Sequence, residues 1–204
     1  MIGVLDYGVG NVGAFLRIFH SQNIEAIPII KSNDFYNIDK IVLPGVGAFD
    51  TAMSKLNNSG LRSALDNFVL MQEKPLLGVC IGMHMLGLSS DEGAAEGLGY
   101  INGHTMHMRA NDSPNTLLPH MGWNDVSILG DSLMWDNVDL EQGFYFLHSY
   151  TFKATDPKSV IGVSTYHNEI VCAVRSENIY GFQFHPEKSL ANGIQLLTNF
   201  ATKV

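Results

Sequence analysis

The sequence predicts an α/β fold, with a mixed, mostly parallel sheet flanked by helices and a β-rich second half. Three observations carry that prediction. Short apolar runs alternate with helix-length segments through the first half. The runs are apolar at nearly every position, as in strands buried on both faces. From about residue 117 the spacing contracts to short β-like runs separated by turns.

In order, residues 2–6 read as a strand, followed by a Gly-rich turn and a helix over 12–22. Strands over 25–30 and 40–43 come next. A second Gly-rich loop then precedes helical stretches over 49–71. Residues 75–79 form a fourth apolar run ending at Cys80, and 81–88 read as a helix. The segment 89–114, rich in Gly, Ser, Asn and Asp, is the least regular. Short strands are predicted over 126–129, 144–147, 160–164, 170–174 and 180–184, and a last helix over 191–202. Neither a repeat nor a linker interrupts the chain, so residues 1–204 are expected to form a single domain.

With 46% apolar residues, the chain can bury a substantial core. Its net charge of −8 argues against sequence-independent nucleic-acid binding and against a basic membrane patch. Residues 1–6 read directly as a core strand, without a signal peptide, and no membrane span is visible. The two cysteines, Cys80 and Cys172, do not make a disulfide framework, so a cytoplasmic location is expected. No spacing among the eight histidines resembles a zinc site, and there is no P-loop; neither metal nor cofactor is expected.

Two segments carry chemistry. In Gly78-Val79-Cys80-Ile81-Gly82, a cysteine sits at a strand-to-helix turn. Exposed backbone N–H groups and the positive end of a helix dipole favour the reactive thiolate in such a place. Glycines on either side allow a tight turn and a close-lying substrate. In Gly181-Phe182-Gln183-Phe184-His185-Pro186-Glu187, side chains two apart in extended backbone face the same way. Pro186 favours an extended His185, so Glu187 is expected to hold one imidazole nitrogen while the other serves Cys80. That is the nucleophile, base and orienter of acyl-transfer enzymes. The alternative for any one of them alone is a buried cysteine or a capped strand-end histidine.

Other residues are candidates by position. Gly45-Val46-Gly47 after a strand is either a flexible loop or an oxyanion-binding loop acting with the Ile81 N–H. His84, four residues after Cys80, shares its helix face. Cys172 reads as core, and Asp50, Glu169 and Glu177 as ordinary loop or surface acids.

These motifs are similar to those of the class I glutamine amidotransferases, whose fold is flavodoxin-like. The resemblance runs essentially end to end. It includes Asp6-Tyr7-Gly8-Val9-Gly10-Asn11, Leu43-Pro44-Gly45-Val46-Gly47, the Cys80 segment, Pro119-His120-Met121-Gly122-Trp123-Asn124, His148-Ser149-Tyr150 and the His185 segment through Ser189. Within the class the chain most resembles the glutaminase subunits of imidazole glycerol phosphate synthases. The resemblance implies a Cys80–His185–Glu187 triad acting on L-glutamine, with hydrolase and lyase reaction classes. It implies oxyanion and glutamine contacts from Gly45, Val46, Gly47, Ile81, Gly82, His84, Ser149 and Tyr150. At His84 the family has glutamine, so this chain departs from the pattern. Asn11 and Trp123 are implied to face a (β/α)8 cyclase subunit in a heterodimer that receives ammonia through a channel. Two alternatives stay open: a sugar amidotransferase as partner, or a stand-alone cysteine hydrolase of γ-glutamyl substrates.

Overall fold

The computed structural model describes residues 1–110, 117–130 and 132–204. Along the chain run β1 (Ile2–Leu5), α1 (Val12–Ser21), β2 (Ala26–Ile29), β3 (Lys40–Gly45), α2 (Phe49–Asn58), α3 (Arg62–Asp66), β4 (Leu76–Cys80) and α4 (Ile81–Met85). Then come β5 (Ser89–Ser90), β6 (Gly103–His107), β7 (His120–Asn124), β8 (Ser127–Ile128), β9 (Phe144–His148) and β10 (Tyr150–Ala154). The chain continues with β11 (Val160–Tyr166), β12 (Asn168–Ser176), β13 (Ile179–Phe182) and α5 (Leu190–Lys203).

Eight strands form one sheet in the order β2-β1-β3-β4-β13-β12-β11-β8. The first five are mutually parallel, and the last three extend the sheet antiparallel. β1, β4 and β13 are buried along their whole length, which explains their unbroken apolar sequences. Helices α1 and α5 pack against each other, as do α2 and α4. A three-stranded sheet, β10-β6-β5, and a two-stranded ribbon, β7-β9, complete the fold. Among the described residues, no helix is long and apolar enough to cross a membrane.

This topology sets the carboxyl ends of β1, β3, β4 and β13 side by side. Gly45 pairs with Cys80, and Phe182 with Val79, so the loops leaving these strands converge at one edge. Ligands bind at such edges in open α/β sheets.

Several boundaries differ from the sequence reading. The helical stretch over 49–71 is broken at Gly60, whose φ is +77°, and α3 runs on into a wider turn at Asn67–Met71. The helix after Cys80 ends at Met85 because the Leu88 N–H is taken by the Gly103 carbonyl at 2.8 Å. That bond draws the chain off toward β6. The irregular segment therefore holds two strands, β5 and β6; its residues 111–114 lie outside the described set. β13 stops at Phe182, two residues short of expectation.

Candidate active site

Cys80 closes β4 with φ +54° and ψ −114°, a strained conformation for a side-chain-bearing residue. The strain is held by close packing beneath the turn. A Cβ on Gly82 would lie 2.0 Å from the Leu43 carbonyl oxygen, and one on Gly45 would lie 2.6 Å from the Gly82 nitrogen. Only glycine fits at either position. α4, which follows, is a single short turn, so any effect of its dipole on Cys80 is confined to that turn.

His185 and Glu187 meet by a route the sequence reading missed. The backbone is extended at His185, but Pro186–Lys188 forms a 3₁₀ turn that folds Glu187 back. Imidazole Nδ1–H then donates to Glu187 Oε1 at 2.7 Å, with both side chains 3% exposed. The expected strand alternation is therefore replaced by a turn with proline at its first position, where proline's fixed φ is favourable. The His185 main chain is pinned as well: its N–H donates to the Tyr145 carbonyl at 2.8 Å, and Ser189 Oγ donates to its carbonyl at 2.6 Å. Burial disfavours a charged His185, yet hydrogen bonds to Cys80 and Glu187, with their charges, raise it from 6.5 to about 10. The imidazole is thus stabilised as the cation between a sulfur and a carboxylate.

Cys80 and His185 open on a cavity of about 260 Å³, with Glu187 behind the imidazole. Of the residues proposed from sequence, Val46, Gly47, Ile81, His84, Ser149 and Tyr150 line it with Cys80 and His185. Gly45 and Gly82 do not; they pack beneath it, because their closeness is what shapes the turn. A wider hollow of about 660 Å³ near Lys158 and Arg175 has no cysteine or histidine among its described lining residues.

His84 is buried, and its Nε2–H donates to Gln183 Oε1 at 2.7 Å. Burial, opposed by that bond, lowers it from 6.5 to about 4. It is therefore a neutral imidazole with its remaining acceptor, Nδ1, enclosed and unpaired.

Glu92 is a cavity residue that sequence reasoning passed over. Its Oε2 accepts the Phe49 N–H at 3.0 Å, at the first turn of α2. Burial raises its carboxyl above the ordinary range. Asp50, expected to be an ordinary loop acid, holds this segment instead, accepting the Ala94 and Ala95 N–H groups at 3.0 Å each. No local motif marks Glu92; its place on the cavity depends on the segment after β5 being fastened to the start of α2.

His148 forms part of the cavity wall, and its hydrogen bonds determine its tautomer. Nδ1–H donates to the Tyr150 carbonyl at 2.7 Å, so Nε2 accepts from His120 Nδ1–H at 2.9 Å. His120 Nε2 in turn accepts from Asn124 Nδ2 at 3.1 Å. Burial lowers His120 to about 4 and His148 to about 3. His120 is stacked between Phe146 and Tyr166, at centroid distances of 4.5 and 4.1 Å. On the same ribbon Met121 and Trp123 are 65% and 49% exposed. Asn11 is exposed too, but its Oδ1 caps α1 by accepting the Ala14 N–H at 3.2 Å. Cys172 is fully buried, as expected, and burial pushes its thiol well up.

A Cys–His–Glu constellation at the carboxyl edge of a mostly parallel sheet defines a class of enzymes, and the chain belongs to it. It matches the family described as glutamine amidotransferase class-I over residues 4–204 and is a member of that family. Among its relatives are proteins named imidazole glycerol phosphate synthase subunit HisH. That of Leptospira interrogans is 43% identical over 204 residues, covering 99% of this chain and 100% of its own. That of Leptospira borgpetersenii is 42% identical over 203 residues, covering 99% and 100%. A solved structure of PurLQS from Thermotoga maritima shares the fold. Its TM-score is 0.73 at 14% identity, covering 98% of this chain and 96% of that one. The family is described by amido transfer, so the lyase class implied by the resemblance is corrected.

Proposed function

We propose that the chain is the glutaminase subunit of imidazole glycerol phosphate synthase. On this reading it hydrolyses L-glutamine and hands ammonia to a cyclase partner in histidine biosynthesis, its whole length acting as one catalytic domain. The observation that carries the reaction is that Cys80 and His185 line one cavity, with buried Glu187 2.7 Å behind the imidazole. The relatives' names and the family support the choice of substrate and complex.

Cys80 sulfur attacks the side-chain amide carbon of glutamine, and the carbonyl oxygen takes the negative charge. N–H groups of the Val46–Gly47 loop and of Ile81 face that oxygen; losing one such donor commonly costs ~3 kcal/mol in the transition state. His185, held protonated between Cys80 and Glu187, gives its proton to the departing ammonia. A water then attacks the thioester and leaves its proton on the neutral imidazole. Glutamate departs, and the sulfur recovers its paired state. Glu187 keeps Nδ1 protonated throughout, so Nε2 faces the chemistry.

Glu92 is the ligand for the substrate's ammonium group, and Ser149 and Tyr150 line the same cavity. The exposed Trp123 and Met121 form the partner-facing patch, and the exposed Asn11 contributes to the same interface. Large exposed aromatic and methionine side chains are the usual energetic anchors of such faces.

Glutamate release from L-glutamine, measured for wild type and Cys80→Ala with and without the cyclase and its nucleotide ligand, tests the reading. Strong stimulation by the cyclase, abolished in Cys80→Ala, is the expected outcome. Cys80-dependent turnover indifferent to the cyclase would overturn the partner assignment and leave a sugar-modifying partner or a stand-alone hydrolase.

A further inference from the structure

Tyr7 lies two residues beyond the end of β1, is 5% exposed, and is not part of the cavity wall. Its hydroxyl donates to the Pro44 carbonyl at 2.8 Å and lies 3.5 Å from Met85 Sδ. One side chain thus ties β1 to the end of β3, just before the Val46–Gly47 turn, and to the helix that follows Cys80. Burial, together with the nearby Cys80 charge, opposes its ionisation, so the hydroxyl remains a donor.

The same carbonyl is braced by shape. Gly10 abuts Pro44 so closely that a Cβ there would lie 2.8 Å from Pro44 Cβ. Lys55 Nζ holds the Gly8–Gly10 loop from its far side by donating to the Gly8 carbonyl at 2.8 Å. A peptide unit is planar, so fixing the Pro44 carbonyl fixes the Gly45 N–H on its opposite side and the start of the turn beyond. Gly47 then takes φ +87°, and Val46 and Gly47 reach the cavity.

We propose that Tyr7 is a positioning residue for amide hydrolysis, pinning the Pro44 carbonyl so that the Val46–Gly47 turn presents its N–H groups to the developing oxyanion. This rests on the glutaminase reading above and adds a residue to it that never touches substrate.

Tyr7→Phe keeps the ring and removes only the hydroxyl. In the complex with the cyclase, kcat for glutamine hydrolysis should fall roughly tenfold to a hundredfold with KM within about twofold, as for the loss of transition-state stabilisation. Alkylation of Cys80 by iodoacetamide forms no oxyanion, so its rate should match wild type. Met85→Leu, which leaves the bond to Pro44 intact, should keep wild-type kcat. An unchanged kcat in Tyr7→Phe overturns the proposal. So does an alkylation rate that falls in step with kcat, or a loss that tracks a lowered Tm. If the wild type releases no glutamate under any condition, the glutaminase reading itself fails, and the proposal with it.

Discussion

Single residues divide the labour of this site between charge and neutrality. His185 is held as a cation by a sulfur and a carboxylate, while His84, His120 and His148 are held neutral by burial. Four imidazoles in one neighbourhood thus have two opposite protonation states, set by whether an anion is in contact. Glu92 belongs to the same scale. Its carboxylate is positioned by the Phe49 N–H and, through the 93–95 turn, by Asp50. Hydrogen bonds between charged groups are worth ~1.5–3 kcal/mol, so Glu92→Gln should raise KM for glutamine roughly tenfold or more, with a smaller effect on kcat. Steady-state kinetics of glutamate release check this; an unchanged KM would remove Glu92 from substrate recognition.

At the scale of elements, the Cys80 turn depends on a contact between strand and helix that leaves no room for a side chain. Gly82→Ala should push α4 off Leu43, lowering Tm by several degrees and abolishing turnover, since overpacking by one methyl in a tight site costs ~1–3 kcal/mol. Thermal unfolding and glutamate release measured on the same preparation test both halves of that statement. A fully active, equally stable variant would show that the turn tolerates a wider spacing. α5 illustrates the opposite strategy, in which buried polar side chains fasten an irregular segment. Asn199 Nδ2 donates to the Met134 and Asp136 carbonyls, and Asn192 Nδ2 to those of Asp139 and Gly143. Lys40 closes the same helix by donating to the Phe200 and Ala201 carbonyls at 3.0 and 2.7 Å, complementing the negative helix end.

For the whole molecule, the neutral histidines make folding pH-dependent. Their folded pKa values, about 4 for His84 and His120 and about 3 for His148, lie below the ordinary 6.5. Unfolded imidazoles therefore bind protons first as the pH falls, and stability present above pH ~6.5 is lost between there and pH ~3. His185 has the opposite sign: its contribution is complete below pH ~6.5 and fades as pH rises toward about 10. Tm should thus fall on acidification from pH 7 to 4, and His84→Gln should flatten that fall. A pH slope unchanged by His84→Gln would show that His84 is not protonated on unfolding in this range.

By itself the sequence determined the alternation of strands and helices, because fully buried parallel strands must be apolar throughout. It also brought Cys80, His185 and Glu187 forward together as candidates, because Cys80 closes a strand between glycines and His185 follows one just before a proline. It placed Val46, Gly47 and Ile81 near one another, since loops that leave adjacent parallel strands converge, whereas Ser149 and Tyr150 came forward only through the family resemblance. Only the tertiary structure decided the rest. Glu187 reaches His185 through a 3₁₀ turn rather than by alternation, and Glu92 reaches the cavity because its segment is fastened to the start of α2. His84 takes one tautomer because Gln183, distant in sequence, accepts its proton. Gly45 and Gly82 serve packing instead of lining the cavity. Apart from the local Pro186–Lys188 turn, each of these depends on contacts between segments far apart along the chain, where local periodicity and spacing carry no information.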